Sequence, residues 1–131
     1  MSTQSIRRSV ALNVLTGARG ALGVIALFTP RIGARMFRID ARGTPAIVMG
    51  RLFGIRNVAL AAGLLRLDAT TVPRMFMLIN VLIDLVDTVA FVGAGRRGEI
   101  GAVATGFGTV LALTGAILGA TSLAAQPEGE K

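Results

Sequence analysis

Five charged side chains interrupt long apolar stretches of this sequence, namely Arg19, Arg51, Arg56, Asp84 and Asp87. Two carboxylates three residues apart can repel each other, which separates their proton affinities and supplies one acid and one base. A guanidinium stays protonated, so it can orient a carboxylate or stabilise a developing oxyanion. We therefore predict that Asp84 and Asp87 are the catalytic acid and base. Arg51 and Arg56 are predicted to orient them or to stabilise negative charge.

Four further side chains are predicted to bind the substrate: Asn80, Asn57, Arg19 and Phe91. Helical spacing places Asn80 and Phe91 on roughly the same face as the two carboxylates. That face must look away from lipid, because an ionised group at mid-membrane costs about 2.5–3.5 kcal/mol. The two asparagine amides are suited to holding a water molecule or a substrate oxygen.

The combination of carboxylates, arginine and an amide-held water is similar in residue types to the apparatus of the limonene-epoxide-hydrolase type, in which water opens an epoxide. Hydrolysis, isomerisation or cyclisation of a lipophilic small molecule would fit these residues. Epoxide opening is the most concrete of these predictions.

The residue types that are missing exclude several kinds of chemistry. The chain has no Cys and no His, and its only Lys is Lys131. Disulfides, thiolate nucleophiles, iron–sulfur clusters and the usual haem and metal ligands are therefore excluded. We expect no metal and no cofactor.

Hydropathy indicates which elements must position the charged residues. The chain has 131 residues, is 53% hydrophobic and has a mean hydropathy of +0.69, which is too apolar for an ordinary soluble domain. Its apolar residues fall into four blocks at residues 10–28, 46–65, 73–92 and 100–123, each near the length of about 20 residues that spans a membrane. We predict an all-α, four-helix transmembrane bundle formed by residues 1–125, with a disordered polar tail at 126–131. The expected location is a bacterial cell membrane.

The first apolar block is expected to be retained as a span. Arg7 and Arg8 precede it, as in a signal peptide, but Arg19 interrupts it and no small-residue cleavage site follows.

The net charge of +7 indicates an anionic partner. The basic residues lie in loops, at helix ends and within apolar spans, and no aromatic-rich basic platform accompanies them. We therefore expect no nucleic acid and name membrane lipids as the anionic partner.

Depth along the helices predicts which charges can meet. Arg56 and Asp84 each lie fourteen residues from Thr70, the centre of the turn between the second and third spans. Arg51 and Asp87 also match in depth, within about 3 Å. Two Arg–Asp pairs can thus form across one hairpin.

The direction of Arg51 is left open, because it lies about 140° from Arg56 around the helix. The two could line different walls of a central cavity, or Arg51 could reach toward the interface.

Arg19 is expected at the same depth as these charged residues, because it lies nine residues before Phe28, the last residue of its span. Three Arg against two Asp leave one excess positive charge, which indicates an anion, a polarised ligand oxygen or water. The alternative is that the ion pairs only fix helix register.

Two further patterns concern packing and the membrane surface. Between the first two spans, arginines recur at helical spacing and predict a short amphipathic helix at the headgroup level, with a solvated connector as the alternative. These arginines are Arg31, Arg35, Arg38 and Arg42, and another face carries Ile32, Met36 and Ile39. The fourth span carries a stripe of small residues, which fits either internal packing or a homodimer through this helix. The stripe consists of Gly101, Thr105, Gly108, Ala112, Gly115, Gly119 and Ser122.

The second span carries a family resemblance. It reads Arg51-Leu-Phe-Gly54-Ile-Arg56-Asn57 and continues as Ala-Leu-Ala-Ala-Gly-Leu-Leu over residues 59–65. With the Asp84–Asp87 spacing, this resembles the DoxX-like superfamily, in particular its small four-helix membrane proteins (the DUF4267 group). The resemblance implies a four-helix integral membrane protein and supplies no agreed activity. Because some relatives are linked to redox roles, the missing Cys and His weigh against that role here.

Two functions follow as predictions. The first is a membrane-embedded enzyme or binding protein for a lipophilic small molecule, acting through the intramembrane Arg/Asp site. The second is a non-catalytic accessory subunit of a membrane complex, in which the Arg–Asp layer is structural.

Overall fold

Five helices make up the architecture. The computed structural model describes the backbone of residues 3–40, 44–67 and 73–125. It describes the side chains of residues 10–40, 45–67 and 73–125. The helices are α1 (Thr3–Phe28), α2 (Pro30–Met36), α3 (Thr44–Leu65), α4 (Pro73–Arg96) and α5 (Ala102–Ala124), and the described ranges contain no strand. The prediction of an all-α bundle with a short helix between the first two spans is confirmed.

Four of these helices are long and apolar enough to cross a membrane. The qualifying segments are Val10–Phe28, Pro45–Leu65, Pro73–Arg96 and Ala102–Ala124. The chain is therefore an integral membrane protein. The predicted tail at 126–131, most of the predicted turn at 67–72, and Arg42 lie outside the described residues.

The short helix α2 turns the chain between the first two spans. Pro30 occupies its first turn, where the missing N–H has no helical partner to lose. The helix ends at Met36, and Arg38 has a φ of 51°, a left-handed conformation that stops further helical turns. A short helix is thus present where the amphipathic helix was predicted, but it is shorter than the arginine spacing indicates, and its place at the headgroup level stays a prediction.

The third span is longer than predicted. Helix α4 continues to Arg96 because the glycine-containing segment after residue 92 keeps its helical hydrogen bonds, including Arg97 N to Gly93 O at 3.1 Å. Gly98, with a φ of 70°, then reverses the chain. In this turn Arg97 donates two hydrogen bonds to Glu99 at 2.6 and 3.0 Å, and they hold the pKa of that carboxyl below its ordinary value.

The helices pack as two pairs, α1 along α3 and α4 along α5, with further contact between α1 and α5. Helices α3 and α4 follow each other in sequence but touch at few points, so the predicted hairpin is not the main packed pair. Glycines explain the pairing of α1 with α3: a Cβ on Gly54 would lie 2.5 Å from the Leu27 nitrogen and 2.8 Å from the Gly23 oxygen. These backbones are in direct contact.

The small-residue stripe of α5 packs largely inside the chain. Gly108 faces the ring of Phe91, Gly115 faces the carboxylate of Asp84, and Gly119 faces Val81. Internal packing therefore accounts for the three glycines in the middle of the stripe. The homodimer stays a prediction, since it concerns a second copy of the chain.

The two ends of the bundle are filled differently. Where α1 begins and α3 ends, four buried side chains form an aliphatic core: Leu15, Leu64, Leu67 and Met77. At the opposite end, which we call the α2 end, α1 ends, α3 begins and α4 meets α5. The charged residues and the cavities described below lie at mid-bundle and toward the α2 end.

Candidate functional site

Arg19 is the centre of a buried polar network. Its Nη2 donates to Asp84 Oδ2 at 2.5 Å and to the Asn80 carbonyl oxygen at 3.5 Å, and its Nη1 donates to Asn57 Oδ1 at 3.1 Å. Arg19 and Asp84 are each 5% exposed. Because buried charges are costly unless paired and hydrogen-bonded, this geometry fixes α1, α3 and α4 at one depth.

A second ion pair joins α3 to α4 and is more accessible. Arg56 donates through both terminal nitrogens to Asp87, at 3.1 and 2.5 Å, in the bidentate arrangement that is strong for a guanidinium and a carboxylate. The Phe53 ring lies 5.2 Å from the Arg56 guanidinium carbon, within cation–π range. The side chains of Arg56 and Asp87 are 36% and 19% exposed.

These contacts correct the predicted pairing. Equal depth favoured Arg56 with Asp84 and Arg51 with Asp87, whereas the structure pairs Arg56 with Asp87 and Arg19 with Asp84. Depth specifies a level but not a direction around the helix. Asp84 faces α1 and Asp87 faces α3, so each carboxylate meets the arginine on its own side.

Arg51 lies outside the layer, so the predicted pairing of Arg51 with Asp87 is not found, and of the two directions left open for its side chain the one away from the central cavity is observed. It is exposed and lines a groove with Phe28 and Arg31 at the α2 end. Its direction, about 140° from Arg56, sends it toward the interface. The remaining group, which we call the charge cluster, consists of Arg19, Arg56, Asp84 and Asp87 and is electrically balanced. The predicted excess of positive charge is absent from it.

An inner cavity of about 110 Å³ adjoins the charge cluster and is lined by all four spans and Phe37. Most of its wall is aliphatic or aromatic. Its polar lining consists of Arg19, Asn57, Asp84, Asp87 and Thr114. Asn80 is not part of this wall: it is fully buried, and its Nδ2 donates to the Phe76 carbonyl at 3.0 Å.

Phe37 and Phe91 lie on the wall of the inner cavity, and Phe107 packs against Phe37 from outside that wall. Phe37, just after α2, stacks on Phe91 with 6.0 Å between ring centroids and meets Phe107 edge to face at 5.0 Å. Phe91 was among the predicted site residues, but Phe37 and Phe53 were missed. Phe37 lies in the basic connector, where its aromatic ring was the only sign that this segment turns back into the bundle.

A second space opens between α3 and α4 and faces the outside of the bundle. This lateral crevice has a volume of about 450 Å³ and is lined partly by exposed side chains such as Met49 and Leu52. Phe53, Asp87 and Phe91 line both the crevice and the inner cavity. They form a thin wall between the two, and the Asp87 carboxylate borders both spaces.

Several polar atoms at the site have no partner among the described residues. The Nε atoms of Arg19 and Arg56 are buried donors without an acceptor, and Asn80 Oδ1 is a buried acceptor without a donor. Buried polar groups in native proteins are almost always satisfied by protein, water or ligand. The site therefore has spare hydrogen-bonding capacity next to a balanced set of charges.

The structure thus brings together Arg19, Asn57, Asp84, Asp87 and Phe91 on the inner cavity, with Arg56 behind Asp87. Comparisons of this chain with protein-family models, with curated proteins and with solved structures find no match.

Proposed function

We propose that this integral membrane protein binds a small, uncharged lipophilic molecule in the inner cavity, with a polar oxygen of that molecule directed at the charge cluster. The supporting observation is a largely apolar cavity of about 110 Å³ that touches both carboxylates at mid-bundle. An apolar cavity of about 150 Å³ in another protein is enough to bind benzene. The inner cavity is smaller than that, so it sets an upper limit of about one small ring carrying a single oxygen.

Charge balance supports a neutral ligand. Two guanidinium groups face two carboxylates, so an added ionic group would stand uncompensated in a poorly solvated region. Arg19 lies on the cavity wall and its Nε is a spare donor, which favours a hydrogen-bond acceptor such as an epoxide, ether or carbonyl oxygen.

The ligand would reach the cavity from the lipid. The lateral crevice opens to the outside between α3 and α4, and the ring of Phe53 or Phe91 need only rotate to join it to the inner cavity. A molecule dissolved in the bilayer would then reach the site without crossing water.

If the ligand is also transformed, Asp87 is the carboxylate with access to it. It borders both spaces and is more exposed than Asp84. Acid/base opening of an epoxide, or a related cyclisation or isomerisation, is the reaction class that these residues would support. A place among the DoxX-like proteins of the bacterial cell membrane belongs to the same proposal.

A cavity-filling variant tests the binding proposal. Leu111→Trp introduces a large ring at the cavity wall, whereas Leu113→Trp places the same ring two residues away on the 43% exposed outer side of α5. Cyclohexene oxide is the probe, and cyclohexane is its counterpart without an oxygen. We expect cyclohexene oxide to raise the melting temperature of the parent and of Leu113→Trp, but not of Leu111→Trp. An equal rise in all three proteins, or none in any, would overturn the proposal.

The pairing of every carboxylate in the cluster supports a second candidate, a non-catalytic accessory subunit. The two ion pairs are the main polar links between the α1–α3 pair and α4. If the ion pairs are purely structural, cyclohexene oxide should not change the melting temperature, and the protein should co-purify with one stoichiometric membrane partner. Co-purification in the absence of any probe response would favour this function.

A further inference from the structure

A basic groove at the α2 end plays no part in the inner cavity. It has a volume of about 300 Å³ and lies where α1 ends, α2 begins and α3 completes its second turn. Arg31 and Arg51 supply its charge, and Phe28, Ile32 and Ile47 supply its apolar walls.

The turn from α1 into α2 places both arginines on the same groove. Thr29 donates its hydroxyl to the Ile25 carbonyl at 2.8 Å, which closes the last turn of α1, and Pro30 then starts α2 in a new direction. A Cβ on Gly50 would lie 3.5 Å from the Pro30 Cβ, so α3 runs directly beside this corner. Arg31 and Arg51 each follow one of these two contacting residues.

Both arginines are free to bind an anion. They are exposed, and neither has an ion-pair or hydrogen-bond partner within the described ranges. This differs from Arg19 and Arg56, which are occupied by aspartates. Two guanidinium groups on one groove present the planar N–H pairs that suit phosphate oxygens.

The position of the groove specifies the source of the phosphate. The α1 span ends at Phe28 and the α3 span begins at Pro45, so the groove lies at the boundary of the apolar region. Phe28 is 74% exposed and Ile32 is 52% exposed beside it. A free phosphate ion would make no favourable contact with these apolar walls, whereas the acyl chains of a lipid would cover them.

We propose that the groove between Arg31 and Arg51 is a binding site for one anionic phospholipid, with its phosphate between the two guanidinium groups and its acyl chains against Phe28 and Ile32. The paired positive charge favours a net negative lipid over a zwitterionic one. This site is independent of the inner cavity and of its ligand.

Lipid binding to the purified full-length protein, measured by native mass spectrometry, tests this. Phosphatidylglycerol and phosphatidylcholine with the same acyl chains are titrated into the parent and into Arg31→Gln, Arg51→Gln and the double variant. We expect the parent to prefer phosphatidylglycerol, with a loss of about fivefold for each single variant and about 30-fold for the double variant. Arg51→Lys keeps the charge but loses the planar N–H pair, so its affinity should fall between those of the parent and Arg51→Gln.

Arg96→Gln is the matched control, because Arg96 is exposed at the same end of the bundle but lies outside the groove. Its affinity should change less than twofold. An equal loss in Arg96→Gln and Arg51→Gln would show that bulk charge, not a site, attracts the lipid and would overturn the proposal. Equal binding of the two lipids by the parent would also overturn it, as would displacement of the lipid by inorganic phosphate at matched concentration.

Discussion

A single guanidinium holds three helices of this protein in register. Arg19 reaches Asp84 on α4, Asn57 on α3 and the Asn80 carbonyl, and it is only 5% exposed. Removing one member of such a buried pair costs more than removing both, because the partner is left as an uncompensated charge. Arg19 and Asp84 therefore matter to stability as a unit.

Arg19→Met should destabilise the protein by about 3–5 kcal/mol, since Asp84 loses its ion-pair partner in a region with little water. The double variant Arg19→Met/Asp84→Leu should recover most of this loss, because no unpaired charge remains. Unfolding in detergent by heat or SDS measures both. A double variant as unstable as Arg19→Met alone would contradict the coupling of these two residues.

The Arg56–Asp87 pair separates a structural role from a ligand-binding role. Reversal of either charge alone places two like charges together and should destabilise the fold. The exchange Arg56→Asp/Asp87→Arg should restore much of the stability, because the attraction is rebuilt. Under the binding proposal it should still weaken cyclohexene oxide binding by about tenfold, since the donor and the carboxylate have changed places; this corresponds to about 1.4 kcal/mol. Probe binding that survives the exchange unchanged would assign this pair to architecture.

At the scale of helices, direct backbone contact sets which spans pair. The α1–α3 crossing depends on Gly23 and Gly54, where no side chain separates the two backbones. Small residues at a crossing are the usual means by which membrane helices approach closely, because lipid removes most of the hydrophobic drive for association.

Gly54→Ala should therefore push α1 away from α3 and destabilise the fold by about 1–3 kcal/mol, as overpacking does elsewhere. Gly17→Ala on α1 is the control, because a Cβ there meets nothing within 4 Å. That change should be neutral or slightly stabilising, as alanine is the better helix former. Thermal unfolding of the two variants measures the difference, and equal melting temperatures would show that the crossing has room to adjust.

The sequence alone predicted which segments form helices and which charged residues they carry. It predicted less well which helices pack together and which charged residues pair. Hydropathy placed the ends of the first two spans at Phe28 and Leu65, as in the structure, since apolar length is a local property. Pairing depends on the direction of a side chain around its helix and on contacts between distant segments. Depth alone therefore matched Arg51 with Asp87, and the aromatic ring of Phe37 in a basic connector was the only local sign that this residue turns inward.

The whole molecule is asymmetric along its length. The end where α3 meets α4 in sequence is filled by Leu64, Leu67 and Met77, and Leu15 packs between this core and the inner cavity, which extends toward Phe37 and the α2 end. The lateral crevice exists because the two helix pairs meet closely through α1 and α5 but barely through α3 and α4. Rigid packing at one end and open space toward the other suit a protein that admits a molecule from the side.

This arrangement predicts that access can be slowed without changing affinity. Ala90 lines the crevice but not the inner cavity, so Ala90→Trp should obstruct the path and leave the binding site intact. Association and dissociation of cyclohexene oxide should slow together, by about tenfold for a barrier raised by about 1.4 kcal/mol, while the dissociation constant stays the same. Exchange spectroscopy by NMR gives both rates.

Val89→Trp is the control, because Val89 is 72% exposed and lies outside both spaces. Unchanged rates in Ala90→Trp would show that the ligand does not pass through the crevice. If Phe37→Ala also speeds exchange, the path lies at the α2 end, because that variant removes the ring that covers the cavity there.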